Sequence, residues 1–164
     1  MNSKPKAIIV DIDGVICRVN YKVNHEEFNW NEFIEKDLDN DKKVFHSMIT
    51  SIKAMAQVIT SEISADIIFL TSRPERMRKQ TQDMLRAYLN WFNYYLFMSS
   101  DTESQEQLEA DVTQYKNVQS QQKEKYIEKI LDAYDVIFAI DDHEENCEMY
   151  HKYGISTLKP YLLQ

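Results

Sequence analysis

Four short apolar runs punctuate the chain: Lys6 to Val10 (KAIIV), Ile67 to Leu70 (IIFL), Tyr94 to Met98 (YYLFM) and Val136 to Ile140 (VIFAI). Each is continuous rather than alternating, the pattern of strands covered on both faces of a parallel sheet. Helical periodicity lies between them. From Phe45 onward Met48, Ile49, Ile52, Met55, Ala56 and Ile59 form one apolar stripe. Pro74 is placed to open a helix whose stripe includes Met77, Met84, Leu85, Tyr88 and Phe92. Gln121 to Tyr134 reads as a further helix with Tyr126, Ile127, Ile130 and Leu131 inward. His143 to Tyr153 reads as another, stopped by Gly154 at the C′ position. Strands alternating with helices predict an α/β fold with a mainly parallel sheet.

The length of 164 residues suits one domain spanning 1–164, and no Pro/Gly-rich linker divides it. Residues 20–41 are polar with scattered aromatics (Tyr21, Phe28, Trp30, Phe33), and we expect a small insertion over about 14–42, near the first strand's end. Residues 99–122, rich in Ser, Gln and Glu, read as a solvated loop plus a helix start. With 43% apolar and 28% charged residues the composition is that of a globular protein. No apolar run approaches the roughly 18 residues of a membrane helix, and acids follow the first apolar run too soon for a secretory signal. Cys17 and Cys147 are the only cysteines. A disulfide framework or a structural zinc site is therefore not expected, and a cytoplasmic location is. The net charge of −8 argues against gripping long stretches of nucleic acid, though not against a site that holds one phosphate.

The polar residues that matter sit at the strand ends. Asp11 and Asp13 follow the first strand, Thr71, Ser72 and Arg73 the second, and Asp141 and Asp142 the fourth. In a parallel sheet those ends share one edge, where ligands bind. Two unit charges about 4 Å apart repel by roughly 4 kcal/mol at an effective dielectric near 20. Four gathered carboxylates thus call for a divalent cation, and oxygen ligands suit Mg²⁺. A phosphate fits as a further ligand, hydrogen-bonded by Thr71 and neutralised by Arg73 or a lysine. Each piece alone is weak. Asp-x-Asp after a strand is a common turn, Ser or Thr before Pro74 is a good cap, and Asp-Asp often caps a helix. The ordered set carries the reading.

DIDGV (Asp11 to Val15), LTSRPE (Leu70 to Glu75), Lys123 before an amphipathic stretch and AIDD (Ala139 to Asp142) resemble the four motifs of the haloacid-dehalogenase superfamily. NWNEFIEKD, TSRPERMRKQTQDML, YYLFMSS and FAIDDHEENCEMYHKYGI are similar to the phosphatase domain of polynucleotide kinase/phosphatases and to stand-alone relatives, from Ala7 to about Leu158. The resemblance implies a Rossmann-like three-layer sandwich with a small cap or none. It implies Asp11 as nucleophile, forming an aspartyl-phosphate, and Asp13 as general acid and base. Mg²⁺ would be held by Asp11, the Asp13 backbone carbonyl and the Asp141/Asp142 pair, with either of those two as direct ligand. Thr71 would bind the phosphate, with Ser72 and Arg73 contacting phosphate or substrate. Lys123, with Lys116 and Lys125 as neighbouring candidates, would stabilise the phosphoryl charge. Gly14 would provide the turn beside the nucleophile. One departure is that 99–111 reads SSDTESQEQLEAD, where relatives often carry basic residues.

The intervals 14–70 and 74–122 are largely used by predicted elements and leave no room for a large cap, so an open site is expected. That favours a phosphate on a bulky chain, such as a polynucleotide 3′-end. The acidic net charge favours a mononucleotide or another small phosphomonoester. A non-catalytic phosphate- or partner-binding domain is a third reading. No GxxxxGK[ST] occurs, so P-loop kinase chemistry is not expected of these residues. His25, His46, His143 and His151 lack metal-ligand spacing, and Tyr21, Phe28 and Trp30 are expected to pack rather than stack on a base.

Overall fold

A computed structural model describes residues 3–17, 65–89, 94–100 and 112–160. Among these residues five strands form one all-parallel sheet: β1 (Lys6–Val10), β2 (Ala65–Pro74), β3 (Tyr94–Ser99), β4 (Asp135–Ile140) and β5 (Thr157–Leu158). Their order across the sheet is β3-β2-β1-β4-β5, so β1 lies in the centre. Helix α1 (Arg78–Leu89) follows β2, α2 (Val112–Ala133) precedes β4, and α3 (Glu144–Lys152) follows it.

Strand alternation sorts the core into two layers. Ile8, Val10, Ile67, Phe69 and Ile140 pack with Met84 and Leu85 of α1 on one face. Ala7, Ile9, Ile68, Leu70 and Ala139 pack with Ile127 and Ile130 of α2 and Met149 and Tyr150 of α3 on the other. The expected three-layer α/β sandwich is borne out. The runs in β1 and β2 are covered on both faces, which is why they do not alternate, whereas Tyr95 on the edge strand β3 is 47% exposed.

Three boundaries differ from expectation. Pro74 ends β2 rather than opening a helix; it is extended, with φ −68° and ψ 151°, and a 3-10 turn (Glu75–Met77) intervenes before α1. α2 begins at Val112, well before Gln121 and inside the stretch that reads as a solvated loop plus a helix start. β5 is two residues long and gave no signal. The helix expected from Phe45, the insertion with its aromatics, His25, His46 and Phe92 lie outside the described residues. The α3 terminus follows its prediction. Gly154 has φ +75°, its N–H donates to the His151 carbonyl, and the Ile155 N–H donates to that of Tyr150, which is a Schellman cap. No helix among the described residues is long and apolar enough to cross a membrane.

Candidate active site

Immediately after β1 the chain turns on the Ile12 carbonyl, which accepts the N–H groups of Val15, Ile16 and Cys17. Gly14 closes the loop with its N–H on the Cys17 carbonyl at 2.8 Å and has φ +84°. A Cβ there would lie 2.1 Å from Asp142 Oδ2. The Asp142 carboxylate therefore rests directly on the Gly14 backbone, and glycine is required both for conformation and for that approach. The tips of β1 and β4 are locked together by the Asp11 N–H on the Ile140 carbonyl at 2.9 Å.

The same alternation that sorts the core splits the polar residues. Asp11 and Asp141 continue the face of Ile9 and Ala139, beneath α2. Lys123 of α2 meets them there, with Nζ 3.0 Å from Asp11 Oδ1 and 2.7 Å from Asp141 Oδ2. All three are buried. α2 is held in place by the Ser99 hydroxyl on Gln122 Oε1, the Tyr126 hydroxyl on the Met98 carbonyl and the Ser120 hydroxyl on the Glu145 carbonyl. Asp141 Oδ1 also accepts the His143 N–H at 3.0 Å and Asn146 Nδ2 at 2.9 Å. That carboxylate thus ties the turn leading into α3 to Lys123 of α2.

Thr71 and Arg73 continue the face of Ile67 and Phe69, beneath α1, and meet Asp13. Arg73 donates from Nε to Asp13 Oδ2 at 2.9 Å and from Nη2 to Oδ1 at 2.8 Å, a bidentate pair. The Thr71 hydroxyl lies 3.5 Å from Asp13 Oδ2 and accepts the Arg73 N–H at 3.2 Å. Arg73 is 1% exposed.

Burial pushes the Asp11 carboxyl well above its ordinary value of 3.8; Lys123 opposes this, and Asp141, Asp142 and Asp13 reinforce it. For Lys123 burial works against the ammonium, but Asp11 and Asp141 outweigh it and hold the group above its ordinary 10.5. One cation thus faces more carboxylate than it neutralises. Asp11, Asp141 and Asp142 each offer an oxygen within 4.8 Å of the others, an arrangement compatible with a divalent cation.

Of the expected site residues, Asp11, Asp13, Gly14, Thr71, Arg73, Lys123, Asp141 and Asp142 converge on this edge. Ser72 is buried, its hydroxyl has no hydrogen-bond partner among the described residues, and alternation puts it on the opposite face from Thr71. Among the candidate lysines Lys123 meets Asp11, while Lys125 is exposed; the Lys116 side chain is outside the described set. Three residues escaped the sequence reading. Asn146 bonds Asp141, Thr81 bonds Arg73, and Tyr150 lies buried within the field of Lys123, Asp141 and Asp11. Thr81 was visible as a polar residue on the Met77–Met84–Leu85 stripe, and Asn146 and Tyr150 as polar members of the inward face of α3.

The family model for the phosphatase domain of polynucleotide kinase PNKP matches residues 5–160. The chain belongs to this phosphatase-domain family. Two similar solved structures are described as "Structure of the Pnkp1/Rnl/Hen1 RNA repair complex" and "Structure of Pnkp1/Rnl/Hen1 complex". The first is 19% identical with a TM-score of 0.62, covering 96% of this chain and 42% of that one. The second is 18% identical with a TM-score of 0.63, covering 98% and 47%. The chain therefore spans less than half the length of these structures, and the likeness is one of fold. Among curated proteins none matches. Membership in the PNKP phosphatase-domain family supports a phosphatase-like function.

Proposed function

We propose that the chain is a Mg²⁺-dependent phosphomonoester hydrolase that works through an aspartyl-phosphate on Asp11 and acts on polynucleotide 3′-phosphates. The observation that carries the reading is the separation of Asp11 and Asp13. The two stand on one short loop, yet each is held by its own cation, Lys123 for Asp11 and Arg73 for Asp13. Two carboxylates in distinct electrostatic environments suit two distinct roles.

In the first half-reaction an Asp11 oxygen attacks phosphorus, the bond to the leaving oxygen breaks, and Asp13 gives that oxygen a proton. In the second, Asp13 takes a proton from water, whose oxygen attacks the phosphorus, and the Asp11–phosphorus bond breaks to release inorganic phosphate. Lys123, 3.0 Å from Asp11, stabilises negative charge at the phosphoryl group. Thr71 donates its hydroxyl to a phosphate oxygen. We assign Arg73 to Asp13 rather than to phosphate, since its Nε and Nη2 are committed there. The donors fit Mg²⁺: Asp11, Asp142 and the Asp13 backbone carbonyl would hold it, with Asp141 completing the acidic group. We place Asp142 ahead of Asp141 as direct ligand because Asp141 already accepts from Lys123, His143 and Asn146. When bound, the cation neutralises charge on the transferred phosphoryl group.

The polynucleotide substrate is supported by the family and by the RNA repair setting of the similar structures. The net charge of −8 supports a competing reading, a nucleotidase for small phosphomonoesters. Phosphate release with Mg²⁺ from 3′- and 5′-phosphorylated oligonucleotides, 3′- and 5′-mononucleotides and a generic phosphomonoester separates the two. The 3′-phosphorylated oligonucleotide is expected to be preferred, and Asp11→Asn to abolish release. A preferred mononucleotide would move the enzyme to nucleotide turnover, and no release from any substrate would leave a binding domain.

A further inference from the structure

Thr81 is fully buried on α1, one helix away from the reacting atoms. Its hydroxyl accepts a hydrogen bond from Arg73 Nη1 at 3.3 Å. The other two donor positions of the same guanidinium, Nε and Nη2, grip the two Asp13 oxygens. A guanidinium is planar, so fixing a third nitrogen fixes the plane in which the other two donate. The Thr71 hydroxyl, at 3.5 Å, is too distant to orient Asp13 by itself. We propose that Thr81 is a positioning residue for Asp13, acting through Arg73, so that helix α1 sets the direction in which the acid–base carboxyl delivers and takes its proton. This rests on the role given to Asp13 above. It accounts for a hydroxyl on the apolar stripe of α1, where packing alone would favour a methyl group, and for an arginine sealed from solvent beside the site.

Thr81→Val keeps the volume and removes the acceptor, whereas Thr81→Ser keeps the acceptor. A misaimed acid–base group slows chemistry while leaving binding alone, so Thr81→Val is expected to lower kcat about ten- to a hundredfold. KM should stay within about twofold, and Thr81→Ser should return kcat to within about threefold of the parent. Thr81→Ala replaces the valine variant if the latter does not fold. A parental kcat in the variant lacking the hydroxyl, or a raised KM with kcat unchanged, overturns the inference. If the parent protein releases no phosphate, the hydrolase reading fails, and the inference is judged instead on the Arg73 Nε–H resonance. That resonance should shift or broaden in Thr81→Val and recover in Thr81→Ser; an unchanged resonance in Thr81→Val overturns it.

Discussion

Gly14 meets two demands at once, a φ of +84° and a surface without a Cβ where Asp142 Oδ2 would come within 2.1 Å. Gly14→Ala is expected to cost about 1–3 kcal/mol in strain alone. By displacing Asp142 it should also lower turnover about a hundredfold; a thermal melt and a rate assay on the same sample check both. Lys123 is the reverse case, a charge whose removal uncovers others. Lys123→Met leaves Asp11 and Asp141 buried without their cation, and breaking a buried pair in this way costs about 3–5 kcal/mol. Denaturant melts with and without Mg²⁺ should show a loss that the metal reverses more in the variant than in the parent. Equal metal effects in the two proteins would contradict the placement of the cation beside Lys123.

Each element puts a particular residue where the site needs it, and some of that was legible in advance. Asp11, Thr71 and Asp141 could be placed because each follows a buried apolar run, and parallel strands present their ends at one edge. The division of labour between the two faces was not legible, because it depends on the register of strands far apart in sequence. Ile8 lies beside Ile67 and Phe138, and the shift between Ala7 and Ile8 in the β1–β4 pairing decides which β4 residues share a face with Asp11. Lys123 could not be told from Lys116 or Lys125 by sequence, since about three turns of α2 offer several lysines and only docking on β3 selects one. Thr81 stayed hidden for a similar reason, as its partner lies on another element. The α3 terminus was legible because a glycine cap is a local signal. Gly154→Ala has no clash to relieve and should cost only the left-handed strain, about 1–2 kcal/mol, with kcat unchanged. A loss of turnover there would mean that α3 is more tightly coupled to the site than its cap suggests.

For the whole molecule the central feature is an acidic edge on an acidic protein. Burial holds the Asp11 carboxyl above its ordinary 3.8, so in the metal-free protein the folded state binds this proton more tightly than the unfolded one. Stability then falls as pH rises from 3.8 through the raised folded value. Mg²⁺ favours the carboxylate, so its stabilising effect is expected to grow across that same rise, read as the shift in Tm with metal at each pH. A metal shift independent of pH would mean that the cation does not meet Asp11. The account as a whole stands on Asp11 forming a bond to phosphorus. The most direct measurement is an acid quench during Mg²⁺-supported turnover of a substrate with radiolabelled phosphate, followed by counting label on the denatured protein. The prediction is a protein-bound phosphoryl group that hydroxylamine removes and that is absent from Asp11→Asn. Turnover without any protein-bound label, or label that persists in Asp11→Asn, would contradict it.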